Sequence, residues 1–223
     1  MIHFFAMAYR PTERTEARRR ETRQRILTAA HDQVAEAGYG SASVQGVAAR
    51  AGVATGTVYR HFDSKAALFA EVFREAAQRE LDVVASVAER PGPSVARRIA
   101  AAGEAFARRA LAAPTLAYAL LAEPVDPAVE AERLRLRRGH REVYARVLDE
   151  GVASGELSPM DTGVVGAALV GAFAEALVGP LSQDLALGNK GAQGHETLIA
   201  SLVQFSLNAV HKEESDVRDH IAA

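Results

Sequence analysis

The chain has 223 residues, 48% of them hydrophobic and 24% charged, which is ample material for one or two globular domains and excludes a disordered composition. It has no cysteine, which excludes a disulfide framework and thiolate metal sites and fits a reducing cytoplasm. The net charge of −2 hides an asymmetry: residues 1–65 carry ten Lys/Arg against six Asp/Glu, a net of +4, and residues 66–223 carry sixteen against twenty-two, a net of −6. A basic head on an acidic body suits a protein that grips DNA with one end.

The opening MIHFFAM is apolar but too short for a signal peptide, and Met7 is the more natural start; residues 1–13 are expected to form a flexible tail. Arginines crowd residues 10–25, with Arg18, Arg19, Arg20, Arg23 and Arg25 among them. They fit either a solvated helix face or an arm that reaches phosphates. A first helix is expected from Thr15 to Ala37, with Ile26, Leu27, Ala30, Val34 and Ala37 as its apolar stripe, Gly38 as its C′ residue and Tyr39 packed after it.

Residues Ser43–Lys65 read SVQGVAARAGVATGTVYRHFDSK and organise the rest. Ser43 caps a helix carrying Val44, Val47 and Ala48 on one face. Gly52 sits at the sharp turn, where only glycine takes a positive φ without strain. Val53 and Val58 return to the first helix of the pair, which is helix-turn-helix spacing. The second helix offers Thr55, Thr57, Tyr59, Arg60 and His61 to phosphates and base edges, and Gly56 permits close approach. Ser64 caps the next helix, and Lys65 in its first turn suits a phosphate bound at that end.

The run GVAARAGVATGTVYRHFDSKAALF resembles the DNA-binding signature of the TetR family of transcriptional regulators, over about Arg23–Phe73. Two positions depart from the pattern. Ala54 stands where a serine or threonine usually caps the recognition helix, so Thr55 is expected to take that role. Gly46 lies inside a helix at a cost of about 1 kcal/mol relative to alanine, which predicts a less rigid head. The DNA-contacting set is then Ser43, Thr55, Gly56, Thr57, Tyr59, Arg60, His61 and Lys65.

A linking helix runs from Ser64 to about Glu89 and ends before PGP at 91–93. A helix over 94–112 follows, then a shorter apolar one from Pro114 to Leu121. Asp126 and Pro127 form an N-cap and N1 pair for a long helix to Ala153. An Ala/Gly/Val-rich helix over 160–178 is long enough to span a bilayer. Glu175 and its small residues instead suit a buried interface between helices. Residues 179–194 read as loop, 195–212 as an amphipathic helix and 213–223 as a charged tail. No strand alternates convincingly, so the chain is all-α with about nine helices: a helix-turn-helix domain over 14–65 and a helical ligand-binding and dimerisation domain over 66–212.

Nucleotide-binding, hydrolase and zinc-protease motifs are absent, so neither an enzyme, a cofactor nor a metal is expected. Two heads on a two-fold dimer would read paired half-sites of a palindromic operator roughly 34–36 Å apart. The resemblance implies that the last two helices form the dimer interface, with Val165, Leu169, Phe173, Leu202, Phe205 and Val210 as candidates; the alternative for each is a place in the core of one subunit. It also implies a ligand pocket in the body, for which Phe106, Tyr118, Arg137, His140, Tyr144 and Phe173 are candidates suited to a small lipophilic effector with a negative or hydrogen-bonding end. The expected function is that of a cytoplasmic, homodimeric repressor released from double-stranded DNA by such an effector. The alternative is a helical DNA-architectural or protein-interaction module with no small-molecule switch.

Overall fold

The computed structural model describes residues 12–92, 94–182 and 191–210, and nearly all of them are helical, with no strand among the described residues. The order is α1 (Glu13–Ser41), α2 (Val44–Ala51), α3 (Thr55–His61), α4 (Lys65–Ala88), α5 (Val95–Ala112), α6 (Pro114–Leu121), α7 (Pro127–Ala153), α8 (Thr162–Leu181) and α9 (Gly191–Ala209). The expected tails over 1–13 and 213–223 lie outside the described residues, apart from Thr12 and Glu13.

Helix α1 starts earlier than the hydrophobic stripe suggests. Thr12 accepts the Thr15 N–H as its cap, and Glu13 and Glu16 suit the first turn. Its far end bends at Gly38, whose φ of 78° admits glycine best. A Cβ there would also meet the Glu123 carboxylate at 3.0 Å. The expected loop over 179–194 is shorter than predicted, because α8 continues through Pro180 to Leu181 and α9 begins at Gly191. Pro180 sits in the last turn of α8, where Ser182 still closes the helix by donating to the Val178 carbonyl at 3.0 Å.

Three apolar clusters hold the chain. One is built by α1–α4 around Ile26, Val34, Val47, Val58, Phe69 and Phe73, and it also takes in Ala119 and Leu120 of α6 and Val129 of α7. The head is therefore not closed on itself. Burying Phe69 and Phe73, each 1% exposed or less, contributes about 1.5–3 kcal/mol per ring. The second cluster joins α4, α5, α7 and α8 through Val84, Ile99, Val143, Tyr144, Val147, Leu148 and Leu169. The third joins α5, α6, α8 and α9 through Ala107, Leu121, Phe173, Leu177, Ile199 and Leu202. Helix α4 lies along α7 and carries the head on the body.

Two glycines set close approaches in the body. A Cβ at Gly103 would lie 2.2 Å from Phe173 Cζ, so α5 presents bare backbone to that ring. One at Gly166 would lie 3.0 Å from the Arg141 carbonyl oxygen, which lets α8 pack backbone to backbone on α7.

Candidate nucleic-acid interface and effector cavity

The reading head is fixed by its caps. Ser43 Oγ accepts the Gly46 N–H at 3.1 Å and Ser64 Oγ accepts the Ala67 N–H at 3.0 Å. Gly52 turns the chain in the left-handed region at φ 66°, and Val53 donates back to the Ala48 carbonyl at 3.0 Å. Val58 is the one buried residue of α3 and pins it to the core, which leaves Gly56, Tyr59 and Arg60 exposed and Thr55, Thr57 and His61 half-buried. A Cβ at Gly56 would meet nothing within 4 Å, so a partner backbone can come close there.

One expectation about this head needs correcting. Thr55 does not cap α3: Ala54 is the N-cap and no side-chain bond is made there. Gly46 has a packing role. A Cβ at Gly46 would lie 2.3 Å from Gln33 Nε2, so glycine makes room for the Gln33 side chain, whose Oε1 accepts the Ser43 N–H at 3.0 Å and ties α1 to the start of α2. Gln33 was not visible as a head residue because its partner is non-local and its own helix reads as a polar face.

The arginines of the head divide into paired and unpaired groups. Arg50 is bound to Glu36 at 2.6 Å, and Arg23 is bound to Glu71 while its guanidinium lies 4.7 Å from the Phe62 ring centroid. Among the described residues no carboxylate pairs with Arg14, Arg18, Arg19, Arg20, Arg25 or Arg60; Arg60 donates to Thr57 Oγ1 at 2.9 Å. His61 has its pKa lowered by burial, then by the charges of Arg19, Arg23 and Arg60, which places the α1 arginines beside the end of α3. Lys65 Nζ lies 5.0 Å from the Tyr39 ring centroid. Unpaired cations with neighbouring hydroxyls form a surface suited to phosphate oxygens.

The head is gripped from the body by the segment between α6 and α7. The Glu123 carboxylate accepts the Tyr39 and Gly40 N–H groups, both at 2.8 Å. Asp126 and Pro127 stand at the N-cap and N1 positions of α7 as expected, but the Tyr39 hydroxyl donates to the Asp126 carboxylate, which makes no capping bond of its own to α7. Burial and the Asp126 carboxylate together raise the Tyr39 pKa. Buried Arg133 donates to the carbonyls of Leu120, Ala119 and Glu123 at 3.2, 3.0 and 2.6 Å, and Arg137 donates to that of Leu121 at 3.1 Å. Three of these carbonyls belong to the last turn of α6 and the fourth, that of Glu123, lies just beyond it, so α7 holds this end of α6.

Leu120 and Leu121 also face a cavity. It is lined by Phe106, Leu120, Leu121, Leu136, Arg137, His140, Tyr144, Val170, Phe173 and Ala174, and its volume of about 20 Å³ has room for about one water. Five of the six pocket candidates meet here. Tyr118 does not: it is half-buried against the third cluster, one turn away on α6. The leucines, Val170 and Ala174 were missed because an apolar residue at helical spacing reads equally as core. Burial pushes the His140 pKa down to about 4 and raises that of Tyr144.

The interface candidates divide. Leu169, Phe173, Leu202 and Val210 are each 6% exposed or less within a single chain, so they fill its own core and are not available to a second copy. Val165 is half-buried and Phe205 is 43% exposed. The exposed side of α8 carries Val164, Ala167, Ala168, Gly171 and Glu175. This is the one described helix long and apolar enough to cross a membrane, and a third of its apolar window is buried in the chain. Among the described residues no three His, Asp or Glu gather as they would around a metal ion.

A capped helix-turn-helix pair whose second helix is pinned by one valine, flanked by unpaired arginines and mounted on a helical body, defines a DNA-binding transcription regulator. The family model for bacterial regulatory proteins, tetR family, matches residues 26–72, the stretch from the middle of α1 into α4. The chain is a TetR-family protein. It is 38% identical over 77 residues to an uncharacterised HTH-type transcriptional regulator of Mycobacterium tuberculosis, a match covering 34% of this chain and spanning only 40% of that relative's length. It is 28% identical over 189 residues to the HTH-type transcriptional regulator UidR of Escherichia coli, covering 83% of this chain and 94% of UidR. Its fold is similar to that of FadR from Bacillus subtilis, solved with stearoyl-CoA (TM-score 0.68, 19% identity, covering 84% of this chain and 99% of that one). It is also similar to RolR, solved with resorcinol (TM-score 0.62, 17% identity, covering 91% and 99%).

Proposed function

We propose that this regulator is a cytoplasmic, homodimeric repressor which a small lipophilic molecule releases from a palindromic operator. Ser43, Thr55, Gly56, Thr57, Tyr59, Arg60, His61 and Lys65 are its DNA contacts, on a head over 14–65, and residues 66–212 hold the effector and the partner subunit.

The observation that carries the switch is the α6 end. Leu120 and Leu121 line the cavity, and Glu123, two residues on, accepts two backbone N–H groups at the end of α1. A molecule that swells the cavity must push on the segment that sets the head's angle. A ligand shifts the DNA-bound population only by its preference for one of the two arrangements. The proposed dimer face is the exposed side of α8 with Val164 and Val165, joined by Phe205 of α9, where alanine and glycine let two helices approach closely. Size-exclusion light scattering and footprinting on DNA flanking the gene test this. The expected result is two chains per operator and two protected half-sites, both lost on effector addition. A monomer that protects a single site would refute the dimer.

A further inference from the structure

His140 is 6% exposed and lines the cavity. Its Nδ1 lies 3.1 Å from the Leu136 carbonyl oxygen. A carbonyl can only accept, so Nδ1 carries the ring proton and Nε2 presents a bare lone pair. Among the described residues that Nε2 has no hydrogen-bond partner. Burial keeps the ring neutral at physiological pH. Tyr144, 3% exposed, lines the same space. Buried polar groups are nearly always partnered, so an unpaired acceptor lining a cavity points to a ligand group that completes it.

The chemistry of that group follows from the lone pair. A carboxylate would set an anionic acceptor against a neutral one, and protonating the ring to admit it opposes the burial that keeps it neutral. The one cation on the lining, Arg137, is exposed, and its guanidinium holds the Leu121 carbonyl at the end of α6. Two aromatic rings line the cavity with His140. Phe106 meets His140 edge to face at 5.5 Å and Phe173 at 6.5 Å between ring centroids, so the lining suits an apolar, aromatic body.

Room comes from Phe106. Phe106, Leu120, Leu121 and Leu136 also line a second cavity of about 40 Å³, which reaches Glu80 and Arg109. Phe106 thus borders both spaces. Arg109 bonds Glu80 at 2.6 and 2.7 Å across the outer side of the second.

We infer that the effector is a neutral lipophile bearing a hydroxyl on a flat apolar body, which donates to His140 Nε2 and displaces the Phe106 ring toward Arg109. This rests on the reading of the cavity as the effector site. The test is calorimetric titration of the full chain, without DNA, with 4-butylphenol, 4-butylanisole and 4-butylbenzoate. These share one body and differ in having a donor, an ether and an anion. The phenol is expected to bind roughly 10- to 100-fold more tightly than either analogue. His140→Leu is expected to reduce phenol affinity to that of the ether. On the wild-type chain, the ¹⁵N resonance of Nε2 is expected to move upfield with phenol while that of Nδ1 stays, a readout that needs no variant. Equal affinities, preference for the benzoate, no saturable binding, or an unmoved Nε2 resonance would each overturn the inference. Release of operator DNA is scored separately. Phenol binding without release leaves the ligand class standing and refutes the switch; release by the benzoate without phenol binding does the reverse.

Discussion

Replacing His140 with leucine should flatten the acid side of the stability profile. Burial lowers its pKa from the ordinary 6.5 to about 4, against smaller raising effects from the Leu136 carbonyl and the Glu80 charge. The folded chain therefore refuses a proton that the unfolded chain accepts. Above the unfolded value both states are neutral and the group has no effect. As pH falls from 6.5 toward 4 only the unfolded state gains the proton, so stability falls; below 4 the loss levels off. The full gap corresponds to about 3 kcal/mol, and about 2 kcal/mol of it accrues between about pH 7.5 and pH 5. Urea unfolding of wild type and His140→Leu at both pH values measures the difference of differences, which cancels the carboxylates and His61. The leucine variant should gain on wild type by about 2 kcal/mol over that interval. Parallel profiles would show that His140 ionises as freely in the folded chain as in the unfolded one, and would remove the neutral acceptor from the cavity.

Three further outcomes follow from the same geometry. Glu123→Ala leaves the half-buried Tyr39 N–H without its carboxylate and should cost about 2 kcal/mol, a drop of about 4–8 °C in a thermal melt, with weaker operator binding; an unchanged melt would show that the grip on α1 carries no energy. Gly103→Ala drives a methyl into Phe173, so overpacking of about 1–3 kcal/mol should exceed the helix-propensity gain of about 1 kcal/mol, and chemical denaturation should show a net loss. Arg60→Ala should weaken DNA binding and lower the log–log salt slope by about one per head if the guanidinium meets a phosphate, which anisotropy at several salt concentrations reads directly.

The head was legible in the sequence because its determinants are local. Ser43 and Ser64 cap within three residues, and Gly52 turns in place. The start of α1 was legible too, had Thr12 with Glu13 and Glu16 been read as a cap and acidic first turn. What escaped was set by contacts far apart in the chain. Gln33 explains Gly46, and Tyr39 takes the Asp126 carboxylate from the α7 cap across 87 residues. The aromatic, His and Arg candidates of the cavity could be guessed by residue type, whereas Leu120 and Leu136 look like any core leucine. Helix α8 is apolar on every side, so its pattern could not tell the face with Leu169 and Phe173, buried in the chain, from the face with Val164, which is open.

The most direct test of the account is anisotropy of the purified protein on DNA flanking its own gene and on a scrambled duplex, over a range of salt. Binding to one palindromic segment that persists at salt where the scrambled duplex is released is the predicted result. Equal, steeply salt-dependent binding to both duplexes would contradict it, and would mean that the head grips backbone without reading sequence.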